Sequence, residues 1–174
     1  LPGLVTRAAE EWFRQPLLAS LQREGLSSDW YHTLSAAPDD RRVAMGGTRP
    51  DLGRNVSGLR HAVSLLIESR GVGLGRAHFA RRVHSQVVAM TSVLQSAAAR
   101  ADDLVKLRRF VDSEASRLAC QGEVVVEAAA TPSEYTLRLL DPQTGADKTV
   151  IYQAIDEVEA ALKTHPDVFD TVVV

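Results

Sequence analysis

The chain has 174 residues, 45% hydrophobic and 24% charged, which suits one packed domain and excludes a disordered polypeptide. A net charge of -2 gives no bulk attraction to nucleic acid or to an anionic membrane surface. No apolar run approaches the ~18 residues needed to span a bilayer, and the single cysteine, Cys120, excludes an intrachain disulfide and a Cys-rich zinc site.

Residues 4 to 24 read as helical, with Leu17, Leu18 and Leu21 on one side and Gly25 as the stop; Pro16 predicts a break into two helices. Ser28 to Leu34 alternates and carries aromatics, which predicts a short strand. Residues 36 to 58 form a long polar segment with Pro38, Gly46, Gly47, Pro50, Gly53 and Gly58, a length associated with functional or mobile loops. Residues 60 to 68 then read as a strand buried on both faces. The run Ala62-Val63-Ser64-Leu65-Leu66-Ile67 stops abruptly at Glu68, Arg70 and a glycine-rich turn. In open α/β sheets, sites are built at the ends of such strands. Glu68 is therefore the first functional candidate, with a solvated or Arg70-paired carboxylate as the alternative.

A long helix is predicted over residues 76 to 97, where Phe79, Val83, Val87, Met90 and Leu94 make one apolar stripe. A second covers residues 101 to 119, with Leu104, Leu107, Val111 and Leu118 on its buried face and Asp102 and Asp103 in its first turn. Strands follow at Glu123 to Ala129, Tyr135 to Leu140 and Thr149 to Tyr152, the last two joined by the turn Asp141 to Ala146. The tail reads as a helix over residues 154 to 164, then Pro166 and a strand from Phe169 to Val174. Leu1 is not a methionine and the chain stops within an apolar strand, so both ends read as boundaries set by something other than folding, and the compartment stays open.

Among possible constellations, Gly71-Val72-Gly73-Leu74-Gly75 has the wrong spacing for a dinucleotide-binding G-x-G-x-x-G and reads as a tight connection. His32, His61, His78, His84 and His165 show no ligand spacing, so no metal site is expected from them and each reads as a surface or packing residue. Arg41, Arg42, Arg49 and Arg54 cluster around the long loop, where they are either solvated or available to capture a carboxylate. No nucleophile elbow supports acyl-enzyme chemistry.

Residues 26 to 147 resemble the C-terminal half of bacterial zinc carboxypeptidase-like proteins. The likeness is carried by Gly46-Gly47, the segment Pro50 to Asn55, the segment Ala62 to Gly75 and the segment Val124 to Pro142. Its most specific element is Glu68-Ser69-Arg70-Gly71 after the apolar run. The resemblance implies an α/β fold: a partial mixed-sheet carboxypeptidase-like sandwich with long helices and a C-terminal β-hairpin. It implies Glu68 as the general base that takes a proton from a zinc-bound water, and it suggests Arg54 and Asn55 as substrate-binding residues. It also implies zinc as cofactor, but the family's H-x-x-E pair and later histidine fall upstream of the matching region and are not in this chain. Residues 155 to 174 are similar to a helix-strand piece of the C-terminal domain of adenylate-forming acyl-CoA ligases, which implies a junction near residue 150 between a 1–150 part and a 151–174 tail. The leading expectation is part of a metallocarboxypeptidase-like hydrolase acting on a peptide or small amide, inactive or weak alone. The alternative is a non-catalytic module acting by binding or as a homo-oligomer; a piece of an acyl-CoA ligase is a third reading.

Overall fold

The computed structural model describes residues 2–34, 40, 42–44, 51–69, 75–118, 121, 131–140, 144 and 146–156. The predicted strand over 123–129, the turn residues 71–74, Arg41, Arg49, Arg70, Cys120 and the tail beyond residue 156 lie outside them. The architecture is mixed α/β, with helices in the N-terminal two thirds and a four-stranded sheet made largely by later residues.

Helix α1 (Pro2–Ala8), a π-helical segment (Ala9–Arg14) and α2 (Gln15–Arg23) run on without a break. The expected interruption at Pro16 is absent because the wide turn before it reorganises the hydrogen bonds. The Gln15 N–H reaches back five residues to the Glu10 carbonyl, and Pro16 falls in the first turn of α2, where a missing N–H is tolerated. The π turn also aligns the buried side. Val5, Ala9, Phe13, Leu17 and Leu21 are all buried and recur every four residues. In an α-helix that spacing drifts by about 40° per step; the wider turn winds less per residue and draws the five onto one face. The helix ends in a Schellman motif: Leu26 N–H donates to Leu21 O, Gly25 N–H donates to Gln22 O, and Gly25 takes the left-handed conformation at φ +65°.

Helices α4 (Phe79–Ala99) and α5 (Ala101–Leu118) follow the predicted spans closely. The buried side of α4 does not. Its expected stripe faces outward, with Phe79 60%, Val83 45%, Val87 55%, Met90 59% and Leu94 66% exposed. The helix packs on α2 through its other side, where Ala89 and Ser92 are buried. Small residues let the backbones approach closely, and the Ser20 and Ser92 hydroxyls meet at 3.3 Å. Leu17, Leu21 and Ala89 form the centre of this core, with Leu26, Ile67, Val88 and Val93 against it. On α5, Val111 is buried as expected.

The sheet has the order β1-β2-β4-β3. β1 is only Thr33–Leu34, shorter than predicted, and pairs antiparallel with β2 (Arg42–Ala44), which lies within the long polar segment. β2 runs parallel to β4 (Asp147–Asp156), and β4 pairs antiparallel with β3 (Thr131–Leu140) from Thr131 opposite Asp156 to Leu140 opposite Asp147. The expected β-hairpin is therefore present and longer than predicted. Residues 154–156, expected to begin a helix, finish β4 because Ala154 is paired on both sides, by Ser133 and Val43. Val150, at the expected junction, sits inside β4 opposite Leu137.

The segment 62–69 is not a strand. Residues 62–67 are half-buried and Glu68 is exposed, in place of burial on both faces. The apolar side chains pack on helices, with Ile67 against the α2–α4 core. An apolar run satisfies its hydrophobic demand against any apolar neighbour, and here those neighbours are on helices.

Candidate functional site

Polar contacts fix the 62–69 segment at both ends. At its start, His61 adopts a left-handed backbone at φ 54°, and its ring N–H donates to Asp112 Oδ1 on α5 at 2.7 Å. Arg108 lies 3.6 Å from the other carboxylate oxygen. The His61 hydrogen bond holds the Asp112 carboxyl below the usual aspartate range; desolvation opposes it, and the Arg108 charge adds to the lowering. At the far end, Gln86 of α4 donates to Ser69 Oγ at 2.8 Å and to Ile67 O at 3.4 Å. Ser69 also meets the Ser85 hydroxyl at 3.2 Å.

Glu68 lies between those contacts and the start of α4. It lines a cavity of about 510 Å³ together with Asp29, His78, Arg81, Arg82 and Ser85. That volume falls within the range of small-molecule sites. The cations come from the first turn of α4. His78 enters that helix in the left-handed region at φ 54°. Arg82 is held in place: its guanidinium donates to Gly75 O at 2.6 Å and lies 5.8 Å from the Phe79 ring centre. Arg81 is exposed and, among the described residues, has no ion-pair partner. Glu68 likewise has no hydrogen-bond or ion-pair partner among the described residues. The cleft thus offers two carboxylates, Glu68 and Asp29, of which Asp29 accepts the Trp30 N–H, and the Arg81 guanidinium, able to bind an anion, together with hydroxyl and amide groups.

The other candidates lie apart. Asn55 is 3% exposed within the short helix α3 (Gly53–Gly58) and is not among the residues lining the Glu68 cavity. The backbone of Arg54 belongs to the same helix, and its side chain lies outside the described residues. Arg42 is committed to Asp40, with contacts of 2.8 and 2.7 Å that raise its pKa further. Of the histidines, His32 bonds the Trp30 carbonyl at 2.8 Å and His84 meets Glu24 at 3.2 Å. Among the described residues no group of three or more His, Cys, Asp or Glu could hold a metal ion. They therefore do not fit the zinc that the resemblance implies. Sequence reasoning missed Arg81 and Arg82 and read His78 as a surface or packing residue, where it lines the cavity. Their signal was the adjacent arginine pair just beyond the glycine turn, overshadowed by the apolar stripe of the same helix.

A second cavity, about 530 Å³, lies on the other side of the segment. Val5, Phe13, Leu65, Leu94 and Leu107 make it apolar, and its polar members, His61 and Arg108, are already engaged with Asp112.

The chain is similar to curated fungal carboxypeptidases. It is 32% identical over 115 residues to the probable carboxypeptidase 2 of Trichophyton verrucosum (strain HKI 0517), covering 63% of this chain and 22% of that protein. It matches carboxypeptidase 2 of Trichophyton rubrum at 32% over 115 residues, and that of Trichophyton equinum at 30% over 115 residues. The chain spans about one fifth of the length of these relatives. A carboxypeptidase-like relation is thereby supported, with fungal relatives where the motifs suggested bacterial ones; nothing found supports the acyl-CoA ligase likeness. No family model matches the chain. No solved structure matches it either.

Proposed function

We propose that these residues form part of a carboxypeptidase-like hydrolase that cleaves C-terminal peptide bonds or related amides, with Glu68 as its general base. The observation that carries this reading is the exposed Glu68 carboxylate sharing a small-molecule-sized cavity with Arg81, in a chain related to proteins named carboxypeptidase 2. The four-stranded mixed sheet is consistent with a part of the sandwich that such a hydrolase would have.

In this reading Glu68 accepts a proton from the attacking water as its oxygen bonds to the amide carbonyl carbon. The C–N bond then breaks, and Glu68 returns the proton to the departing amine. Arg81 would hold the substrate's terminal carboxylate by paired N–H donors. Arg54 and Asn55 are weaker candidates for that contact, since Asn55 is buried away from the cavity. The described residues offer no zinc site; in this reading they supply the base and the anion contact.

The test is hydrolysis of a blocked dipeptide by the complete reading frame that contains these residues, compared with its Glu68→Gln variant. The expected loss is ~10²–10⁴-fold, the range removed with a general base. Equal rates would rule out Glu68 as the base.

A further inference from the structure

The outward stripe of α4 is an apolar surface: Met90 and Leu94 border the second cavity, and Phe79, Val83 and Val87 line neither cavity. Phe79, Val83, Val87, Met90 and Leu94 lie within an arc of about 80° at 100° per residue and extend about 22 Å along the helix. Each is 45% exposed or more. Together they present on the order of 500 Å², the upper size of apolar patches tolerated on a monomer. No Asp, Glu, Lys or Arg of α4 lies in that arc.

We propose that this face pairs with the same face of a second copy, the two α4 helices antiparallel about a two-fold axis between Val87 and Met90. The stripe matches itself in that register, and helix polarity favours it over a parallel one. Val87 meets Met90 of the other copy, Val83 meets Leu94, and the large Phe79 meets the small Ala98. The spacings of four, three and four from Val83 to Leu94 are those of a knobs-into-holes seam. The same register sets the exposed Arg76, just before α4, beside the exposed Asp102 at the start of the second copy's α5. Opposed helix directions also bring the positive end of each α4 to the negative end of the other. Two stripes bury about 1,000 Å², the lower limit for a specific interface, so the dimer forms reversibly. The face is isologous, as a two-fold pair requires. This pairing does not depend on the role assigned to Glu68, whose cavity lies on the other side of α4.

The test is sedimentation equilibrium of the 174-residue chain over a dilution series, with Val87→Glu as the variant. The chain should reach twice its 18.9 kDa mass, while the variant stays monomeric with unchanged helical circular dichroism. Orientation is read by oxidative cross-linking in a Cys120→Ser background. Val87→Cys combined with Met90→Cys should give a covalent dimer. Phe79→Cys should not, because antiparallel helices hold the two copies of that residue about 28 Å apart along the axis. A monomer at every concentration overturns the pairing and leaves the face to another polypeptide, such as the rest of a longer hydrolase. A dimer or larger assembly insensitive to Val87→Glu, or equal cross-linking at Phe79→Cys, also overturns it.

Discussion

Gln86 and Ser69 are joined by a 2.8 Å hydrogen bond across 17 residues of sequence, and Ser69 is the immediate neighbour of Glu68. The bond holds the end of the apolar segment against α4, and Glu68 lines the same cavity as Arg81 and Arg82 of that helix's first turn. A second, longer bond from the same amide to Ile67 O makes Gln86 a clamp on both sides of Glu68.

Removing that clamp should loosen the segment without unfolding the chain. Gln86→Ala is expected to cost about 1 kcal/mol, the net worth of an ordinary hydrogen bond. Hydrogen exchange should rise at residues 67–69 and not in the centre of α4. A uniform rise across both would mean that the amide supports the core and not the segment.

Glu68 itself should be dispensable for folding. It is exposed and has no partner among the described residues, so Glu68→Gln should change the urea midpoint by less than ~0.5 kcal/mol equivalent. Its effect belongs to hydrolysis. A variant that unfolds would place the carboxylate in the architecture.

The α2–α4 contact should tolerate no added bulk. Ser92 is 4% exposed and Ala89 fully buried, and leucine at position 92 would force the helices apart at a cost of about 1–3 kcal/mol. Thermal unfolding of Ser92→Leu checks this. By contrast, Leu94→Ala on the outward stripe should leave monomer stability almost unchanged, although the larger residue is removed.

The His61–Asp112 contact predicts a stability change in acid. The Asp112 carboxyl is depressed in the folded chain, so its contribution is present above the unfolded aspartate pKa of ~3.9 and is lost as pH falls through the lower folded value. Wild type and Asp112→Asn should therefore differ in urea midpoint at neutral pH and converge in strong acid. A difference independent of pH would assign the effect to packing.

Much of the helical frame was legible in the sequence, because α4 and α5 carry long 3.6-residue periodicity between clear stop signals. Which side of α4 is buried was not legible. Five large apolar residues outweigh Ala89 and Ser92 in any hydropathy pattern, yet the small pair permits the close approach to α2 and the Ser20 contact. The run from Ala62 to Ile67 misled for a related reason. Unbroken hydrophobicity demands burial but does not specify a strand, and here it is satisfied on helices. Pro16 misled because a π turn can place a proline in a first turn within a continuous helix. In the candidate site, Glu68 drew attention from its abrupt position after the apolar run, and it lines the cavity. Arg81 and His78 depend on α4 folding back alongside that run, a tertiary relationship that the adjacent arginine pair does not by itself reveal.

The most direct measurement is a carbon-detected NMR titration of the 174-residue chain with a blocked dipeptide bearing a free terminal carboxylate. The central claim is that the cavity between Glu68 and the first turn of α4 receives such a substrate. Shifts should concentrate on the Glu68 carboxyl, the His78 ring and the Arg81 guanidinium, and Arg81→Ala should abolish them. Shifts centred elsewhere, or shifts unchanged by Arg81→Ala, would contradict it.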